Sequence, residues 1–514
     1  MKKPISFGSI GFEIVASMEG SMARPEPGDP FRICIIGDFS GRASRNVKEP
    51  LTSRRPILID RDTIEEVILK IRPRIVFDVM GQTIEASFEG LDSFHPDELF
   101  SRLDLFRALK ETRGKLEDPR TYNAALKELR ILTGAEGKEA GPGEKAQGKP
   151  VSPGGNILDQ IVSDTEEGAL EKTGSSGQTD LADFVNAIVR PYRVAPHDPA
   201  QDRLKEAIDT YISVLMAEVL HHGCMQEIES AWRCMHFLVS RVETDEDLEI
   251  RVLDISKEEL ARDLLAADDL TSTDMYRLFV EEAVSSPDGK PWAVLVGDYA
   301  FDHDDAAVLG RMAKIAAAAG APFIARAHPH LMGCRTFAET PDPAEWKYTP
   351  SPEAKEAWDA LRNLPEAAYV GLAALRILLR LPYGRATDPV EVFDFEETVG
   401  KFAQEHYLWG NPAFACACLL AQAFSQEGWS MTPGVVNDIE GLPLHSTEVN
   451  GESRITPCAE ILLTEKAAQA ILDKGVMPLA SIKGTDSARL VRFQSLALPL
   501  AGLQGRWGSS THSR

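Results

Sequence analysis

The chain is short of positive charge. Its 514 residues carry 79 acidic side chains against 55 basic ones, a formal charge of −24. So negative a surface repels phosphate backbones and anionic headgroups, which argues against nucleic acid and membranes as partners. Long apolar runs are missing as well: no stretch approaches the roughly 20 residues that cross a bilayer, so direct membrane insertion is not expected. The opening MKKPISFGSIGFEIVASMEG has two lysines, but Gly and Glu break its apolar run and leave no signal-peptide core. The seven cysteines include no C-x-x-C pair and are scattered through apolar sequence. This speaks against a disulfide framework or structural zinc and for reduced, mostly buried thiols in a cytoplasmic protein. Neither G-x-S-x-G nor H-E-x-x-H occurs, and no reactive-cysteine signature is present. With no nucleophile-base or metal constellation, the chain is not expected to be an enzyme, and no cofactor is implied.

What is present centres on Pro291 to Phe301, PWAVLVGDYAF, in which five apolar residues from Trp292 to Val296 are followed by Gly297-Asp298-Tyr299. The pattern predicts a strand buried on both faces that ends in a tight turn. Far upstream, Ile33 to Gly41 (ICIIGDFSG) echoes it. Two such strands, each with its own helical surroundings, predict an α/β protein of two lobes. Neither turn has the spacing of a Walker or dinucleotide loop, so strand exits held by Asp hydrogen bonds are favoured over phosphate cradles.

Residues 1–30 read as an N-terminal strand and arm, with Ile10, Phe12 and Ile14 alternating with Gly11 and Glu13. Residues 31–133 form a first domain. Its basic loop carries Arg42, Arg45, Lys48, Arg54 and Arg55, either a solvated loop or a docking surface for an acidic partner, another copy of the chain included. Ile64, Val67, Ile68 and Ile71 share one helical face, with Asp62 and Glu65 as a capping pair and Pro73 as the stop. A hairpin follows through Gly81-Gln82, then a helix opened by His95-Pro96 and another from Thr121 to Leu132. Residues 134–155 are Gly, Pro, Lys and Glu, a flexible linker.

Residues 156–180 hold one short island in which Ile157, Leu158, Ile161 and Val162 form a helical stripe that Asn156 can cap. So short a helix must dock to persist, on a groove-bearing partner or on its own domain. Residues 181–500 form a second domain. It opens with about sixty helical residues, then a strand at Glu249 to Leu253 and a capping box of Ser256 and Glu259. Strand, Ala-rich helix (Ala306 to Ala319) and strand (Pro322 to Ala327) follow, an order that favours a parallel pair. The Asp302-His303-Asp304-Asp305 cluster, the His221-His222 pair and the set His328, His330, Cys334 lack established metal spacing, so capping and solvation are expected of them. Residues 501–514 read as a disordered tail.

Ile35-Ile-Gly-Asp-Phe-Ser-Gly-Arg42, Arg55-Pro56-Ile57 with Asp60-Arg61-Asp62, and Phe94-His95-Pro96-Asp97 together resemble the small contractile-sheath subunit of bacterial type VI secretion systems (TssB/VipA). Gln226 with Glu229-Ser230 and Trp232-Arg233, Val296-Gly-Asp-Tyr-Ala-Phe301, Ala321-Pro-Phe-Ile324, Arg380-Leu-Pro-Tyr-Gly384, Leu408-Trp-Gly-Asn411 and Gly475 to Leu479 resemble the large subunit (TssC/VipB). The chain thus looks like a small-large fusion joined at Gly134 to Gly155. The resemblance implies two interlocked α/β sheath-type lobes with mixed sheets and surrounding helices. It also implies self-assembly around an inner-tube protein, attachment to a baseplate, contraction, and recognition of Ile157 to Thr165 by a Clp-type AAA+ unfoldase. Ile10, Phe12 and Ile14 correspond to a strand shared between subunits. Two departures stand out: Ala373-Ala374-Leu375-Arg376 lacks the family's Pro-Arg, and the likeness fades around Arg492 to Ser495, where family members continue for another domain. A chain without that domain would instead be an accessory or terminating paralogue, and the island alone would suit an adaptor for the unfoldase.

Overall fold

The structure, a computed structural model, describes residues 6–10, 25, 28–116, 121, 124, 199–398, 403–449 and 452–507. The first strand, β1 (Phe31–Gly37), is buried along its whole length. A strand apolar on both faces needs cover above and below and a hydrogen-bonded neighbour on each edge. The segment that follows supplies little of this. It gives the two-residue β2 (Ile57–Leu58), helix α1 (Ile64–Ile71), the separate hairpin of β3 (Arg74–Val79) and β4 (Gln82–Ser87), and helices α2 (Pro96–Arg102) and α3 (Asp104–Lys115).

The neighbours come from the far part of the chain. After helices α4 (Pro199–Leu220) and α5 (Gly223–Val239), strand β5 (Leu248–Asp254) pairs in parallel with all of β1, from Phe31 opposite Leu248 to Gly37 opposite Asp254. Helix α6 (Lys257–Leu265) leads on to β6 (Val294–Phe301), which takes the other edge of β1, with Ile33 opposite Val294 and Ile36 opposite Gly297. Helix α7 (Ala306–Ala319), β7 (Phe323–Ala327), helix α8 (Pro352–Arg362) and β8 (Val370–Ala374) continue outward. The small pair β9 (Ile377–Leu378) and β10 (Trp409–Gly410), helix α9 (Pro412–Glu427), β11 (Asp438–Ile439) and the hairpin of β12 (His445–Val449) and β13 (Glu452–Thr456) come next. Helix α10 (Glu465–Asp473), β14 (Val476–Ser481) and β15 (Ala488–Leu490) complete the fold.

Nine strands therefore make one mixed sheet in the order β11-β15-β14-β8-β7-β6-β1-β5-β2. The run from β14 to β5 is parallel; β15 and β2 run against it on either side, and β11, antiparallel to β15, closes one edge. The two echoed sequence patterns are adjacent strands of this sheet. The lobes interlock to the point of sharing one sheet rather than each keeping its own.

Alternation along the strands divides the core in two. Ile33, Ile35, Val294 and Val296 face the cluster that holds α4, α5 and α9. Cys34, Ile36, Leu295, Phe323 and Leu372 face the cluster that holds α6, α7 and α8.

Local expectations fare unevenly. Helix α1 spans its apolar face and stops at Arg72, which takes a left-handed conformation ahead of Pro73. Its start differs from the expected pair: Asp60, not Asp62, accepts from the backbone of Asp62 and Thr63. Glu65 instead reaches the Leu91 amide. The hairpin turns one residue earlier than expected, at Met80 and Gly81, both with positive φ. His95 caps α2, its Nδ1 accepting from the Asp97 amide, and Ser256 with Glu259 forms a full capping box. Disorder expected from residue 501 is overturned as far as Trp507. Leu503 and Trp507 bury in the first cluster, and the Gln504 amide donates to the Ala368 carbonyl. Two large apolar side chains suffice to dock so short a segment. The expected helix from Thr121 to Leu132 and the linker 134–155 lie outside the described residues, apart from Thr121 and Ala124.

Ile35 is fully buried between Val252 and Val296. Ile35→Ala is expected to cost about 2–5 kcal/mol and to lower one shared urea transition, followed by far-UV circular dichroism and tryptophan fluorescence. Two separated transitions, only one of them shifted, would contradict the shared sheet.

Candidate functional site

From β1 the chain passes to β5 on one side, then returns across β1 to β6 and steps outward the other way. Where a parallel sheet reverses like this, the carboxyl ends of the strands splay into the crevice in which doubly wound proteins bind ligands. In this fold the crevice is filled from within. Helix α5 crosses it, and the Trp232 indole donates to the Phe39 carbonyl at 2.9 Å, the two rings meeting edge to face. Asp38, just past β1, accepts from the Arg42 and Ala43 amides at 2.7 Å each and closes the turn. Asp254, at the end of β5, accepts from the amide and hydroxyl of Ser40 and from Arg42 Nε.

The matching exit on β6 differs from the expected tight turn. The strand runs on to Phe301, and a register shift between Val296 and Ala300 absorbs Gly297-Asp298-Tyr299 as a bulge. Gly297 is needed there because a Cβ would fall 2.5 Å from the Phe323 ring. Asn411 pins the bulge: its Nδ2 donates to the Gly297 carbonyl and to Asp298 Oδ1, while its own Oδ1 caps α9 through the Ala413 amide. Burial pushes the Asp298 carboxyl up to about 6, against the Asn411 hydrogen bond and the Arg326 charge. Asp38 is also raised by burial, opposed by its two amide donors.

Beside the bulge lies a buried ion network. Arg380 donates to Glu229 and to Glu397, both at 2.8 Å, and its guanidinium lies 4.1 Å over the Tyr383 ring. Arg233 donates to Glu229 at 2.7 Å and to the Tyr383 hydroxyl at 3.1 Å. Glu397 also accepts from the Tyr383 amide, and His221 Nε2 lies 3.1 Å from it. Glu229 is 0% exposed. Burial raises Glu397, but Arg380, His221 and the Tyr383 amide outweigh it and hold the carboxyl at about 2. Ser230 donates to the Trp409 carbonyl, so α5 is tied to the β10 strand as well. The segments Gln226 to Arg233, Val296 to Phe301, Arg380 to Gly384 and Leu408 to Asn411, scattered over the sequence, thus form one constellation. Arg380 within an apolar run was the signal for it. Glu397 carried none, because its partners lie 14, 17 and 176 residues away.

The basic loop lies against the second part of the chain. Arg54 donates to both oxygens of buried Glu259 and to the Asp254 carbonyl, and Arg42 bridges Asp254 and Glu49. Arg45 donates to the carbonyls of Ser40 and Gly41. Arg55 is 54% exposed, 3.4 Å from Glu282. At the N-terminus, Ser9 pairs with the backbone of Asp268 and Leu270, and Ile10 packs at the edge of the second core cluster. Phe12, Ile14, Ile157, Leu158, Ile161 and Val162 lie outside the described residues.

Residues 202–497 match the VipB tail sheath N-terminal domain, and residues 18–132 match VipA of the type VI secretion system. The type VI secretion system sheath protein TssC1 of Pseudomonas aeruginosa is 39% identical over 303 residues, which cover 57% of this chain and 60% of that protein.

Asp298 yields a pH prediction. Its folded carboxyl titrates near 6, above the roughly 3.9 of an unfolded aspartate. The stability it contributes is full below about pH 4 and is lost as pH rises through about 6. Asp298→Asn is therefore expected to exceed the parent by about 3 kcal/mol at pH 8 and to equal it near pH 3; a gap independent of pH in urea titrations refutes the assignment. Glu229→Gln leaves Arg233 and Arg380 short of a buried anion and is expected to cost about 3–5 kcal/mol, read from the same titrations.

Proposed function

The chain belongs to the VipB tail-sheath family of type VI secretion and carries a VipA-type segment ahead of it on the same polypeptide, and from that membership we propose that it serves as a structural subunit of a contractile sheath. In this reading each chain joins a small-subunit part to a large-subunit part, assembles with its own copies around an inner-tube protein, rests on a baseplate in the cytoplasm, and contracts to drive the tube outward. The observation that carries the reading is the seating of β1, from the VipA-type segment, between β5 and β6 of the VipB-type part. A sheath unit must move as one rigid body, and a shared sheet supplies that rigidity. The chain spans 60% of the length of its TssC1 relative. Among the described residues no helix is long and apolar enough to cross a membrane.

Contacts between copies follow from what the internal fold leaves exposed. Arg42 and Arg54 are committed to internal carboxylates and Arg45 to the Ser40 and Gly41 carbonyls, whereas Arg55 faces outward and forms the side of the loop offered to an acidic neighbour. Ile10, Phe12 and Ile14 form the strand exchanged between copies. The stripe of Ile157, Leu158, Ile161 and Val162 is the contact for a Clp-type AAA+ unfoldase.

Negative-stain electron microscopy of the full chain is expected to show helical or ring assemblies. Arg55→Glu is expected to weaken them severalfold while changing stability by no more than about 1 kcal/mol, since the pair it breaks is exposed. Single particles at every concentration sink the self-assembling reading and leave a terminating subunit. Leu158→Asp with Ile161→Asp is expected to abolish capture of the unfoldase in a pull-down, and undiminished capture removes that stripe as the contact.

A further inference from the structure

The carboxyl ends of β6 and β7 bring together three side chains that no part of the sheath reading uses. Asp302 is the first residue after β6, His328 the first after β7, and His330 follows two residues on. The His328 amide donates to the Phe301 carbonyl at 2.9 Å, so the two exits are tied side by side. We propose that Asp302, His328 and His330 form a binding site for a divalent transition-metal ion such as zinc.

Asp302 and His328 are each anchored through one side-chain atom, and His330 by the stacking of its ring. Asp302 Oδ1 accepts from the Asp304 amide, which leaves Oδ2 facing His330 Nδ1 at 3.9 Å. His328 Nδ1 accepts from the His330 amide and leaves Nε2 as the ligand. With Nδ1 accepting, the neutral ring carries its proton on Nε2; binding through Nε2 takes the other tautomer, in which the proton sits on Nδ1 and the 3.3 Å contact with the His330 amide is released. The His330 ring is steadied by stacking on Tyr348, with centroids 4.1 Å apart and planes 16° from parallel. One ligand atom from each of the three residues lies within 4.8 Å of the others, so small side-chain rotations bring all three to the ~2 Å that zinc requires. Two imidazoles and one carboxylate suit a borderline ion over the oxygen-seeking magnesium or calcium.

The surroundings leave the site open on one side. His330 also lines a cavity of about 260 Å³ together with His303, Tyr348, Lys355 and Trp358, which has room for water or a small anion to complete the coordination. Lys257, whose charge opposes a cation at His328, is held by Asp305 at 2.8 Å and the Ala300 carbonyl at 2.7 Å. Arg326 also opposes positive charge at His328 while the Asp302 carboxylate favours it, and Lys355, Arg362 and Lys474 line the cavity beside His330. The separation of Asp302 from His328 in sequence is why spacing alone does not disclose the group.

The test is equilibrium dialysis of the tag-free full chain, stripped with chelator, against zinc sulfate, with cobalt(II) absorption as a second readout. One zinc per chain is expected, with a visible band from bound cobalt. His330→Ala and Asp302→Asn are each expected to weaken binding about tenfold or more. The Asp302→Asn side chain can still cap its turn, so a folded variant is available if His330→Ala destabilises, as thermal melts will show. Absence of uptake overturns the proposal. So does uptake undiminished in both variants, which would place the zinc elsewhere on the chain.

Discussion

A strand that is apolar on both faces cannot stand at an edge or on a surface. That requirement, applied to Phe31–Gly37, shapes the rest of the molecule. It calls for two strand neighbours and two helical layers, and the residues that follow β1 offer only a two-residue antiparallel partner, itself paired to β5. The remainder is drawn from beyond residue 199. Because β5 and β6 take opposite edges of β1, the sheet must reverse direction there, and the carboxyl ends of its central strands gather at one place.

What gathers there is polar, and its burial sets the second constraint. A buried carboxylate or guanidinium left alone is costly, so Glu229, Glu397, Arg233 and Arg380 persist only as a set in which each charge meets an opposite one. Asp298 is the exception that shows the rule. Its hydrogen-bond donor is an uncharged amide, and burial pushes its titration upward, whereas Glu397, held by Arg380, is pulled down. Such a network adds less to stability than well-packed apolar groups of similar size, but it fixes which surfaces meet. Here it ties α5 to the loop after β9, and Asn411 ties α9 to β6.

Much of the architecture is legible in the sequence because it rests on local rules. The Phe31–Gly37 and Val294–Phe301 runs announce central strands, Ile64, Val67, Ile68 and Ile71 announce α1, and Ser256 with Glu259 announces the start of α6. What local rules cannot carry is adjacency. The two Gly-Asp exits read alike and were expected to close two lobes, yet they lie on neighbouring strands, one closed by backbone amides and the other opened into a bulge by Gly297 and Asn411. Arg42 and Arg54 read as a basic patch in an acidic chain, whereas their carboxylates, Asp254 and Glu259, lie some two hundred residues on. The tail misled for a related reason: its Gly and Ser content outweighed Leu503 and Trp507, whose burial depends on a core the sequence does not display.

The central position of β1 has a kinetic side. In a unit built from separate chains, seating such a strand is a second-order event, and dilution reverses it. Here both partners are produced in equal number by each round of translation, and their association is intramolecular, set by an effective concentration rather than a bulk one. The unit therefore cannot be titrated apart, and neither half can be made in excess of the other.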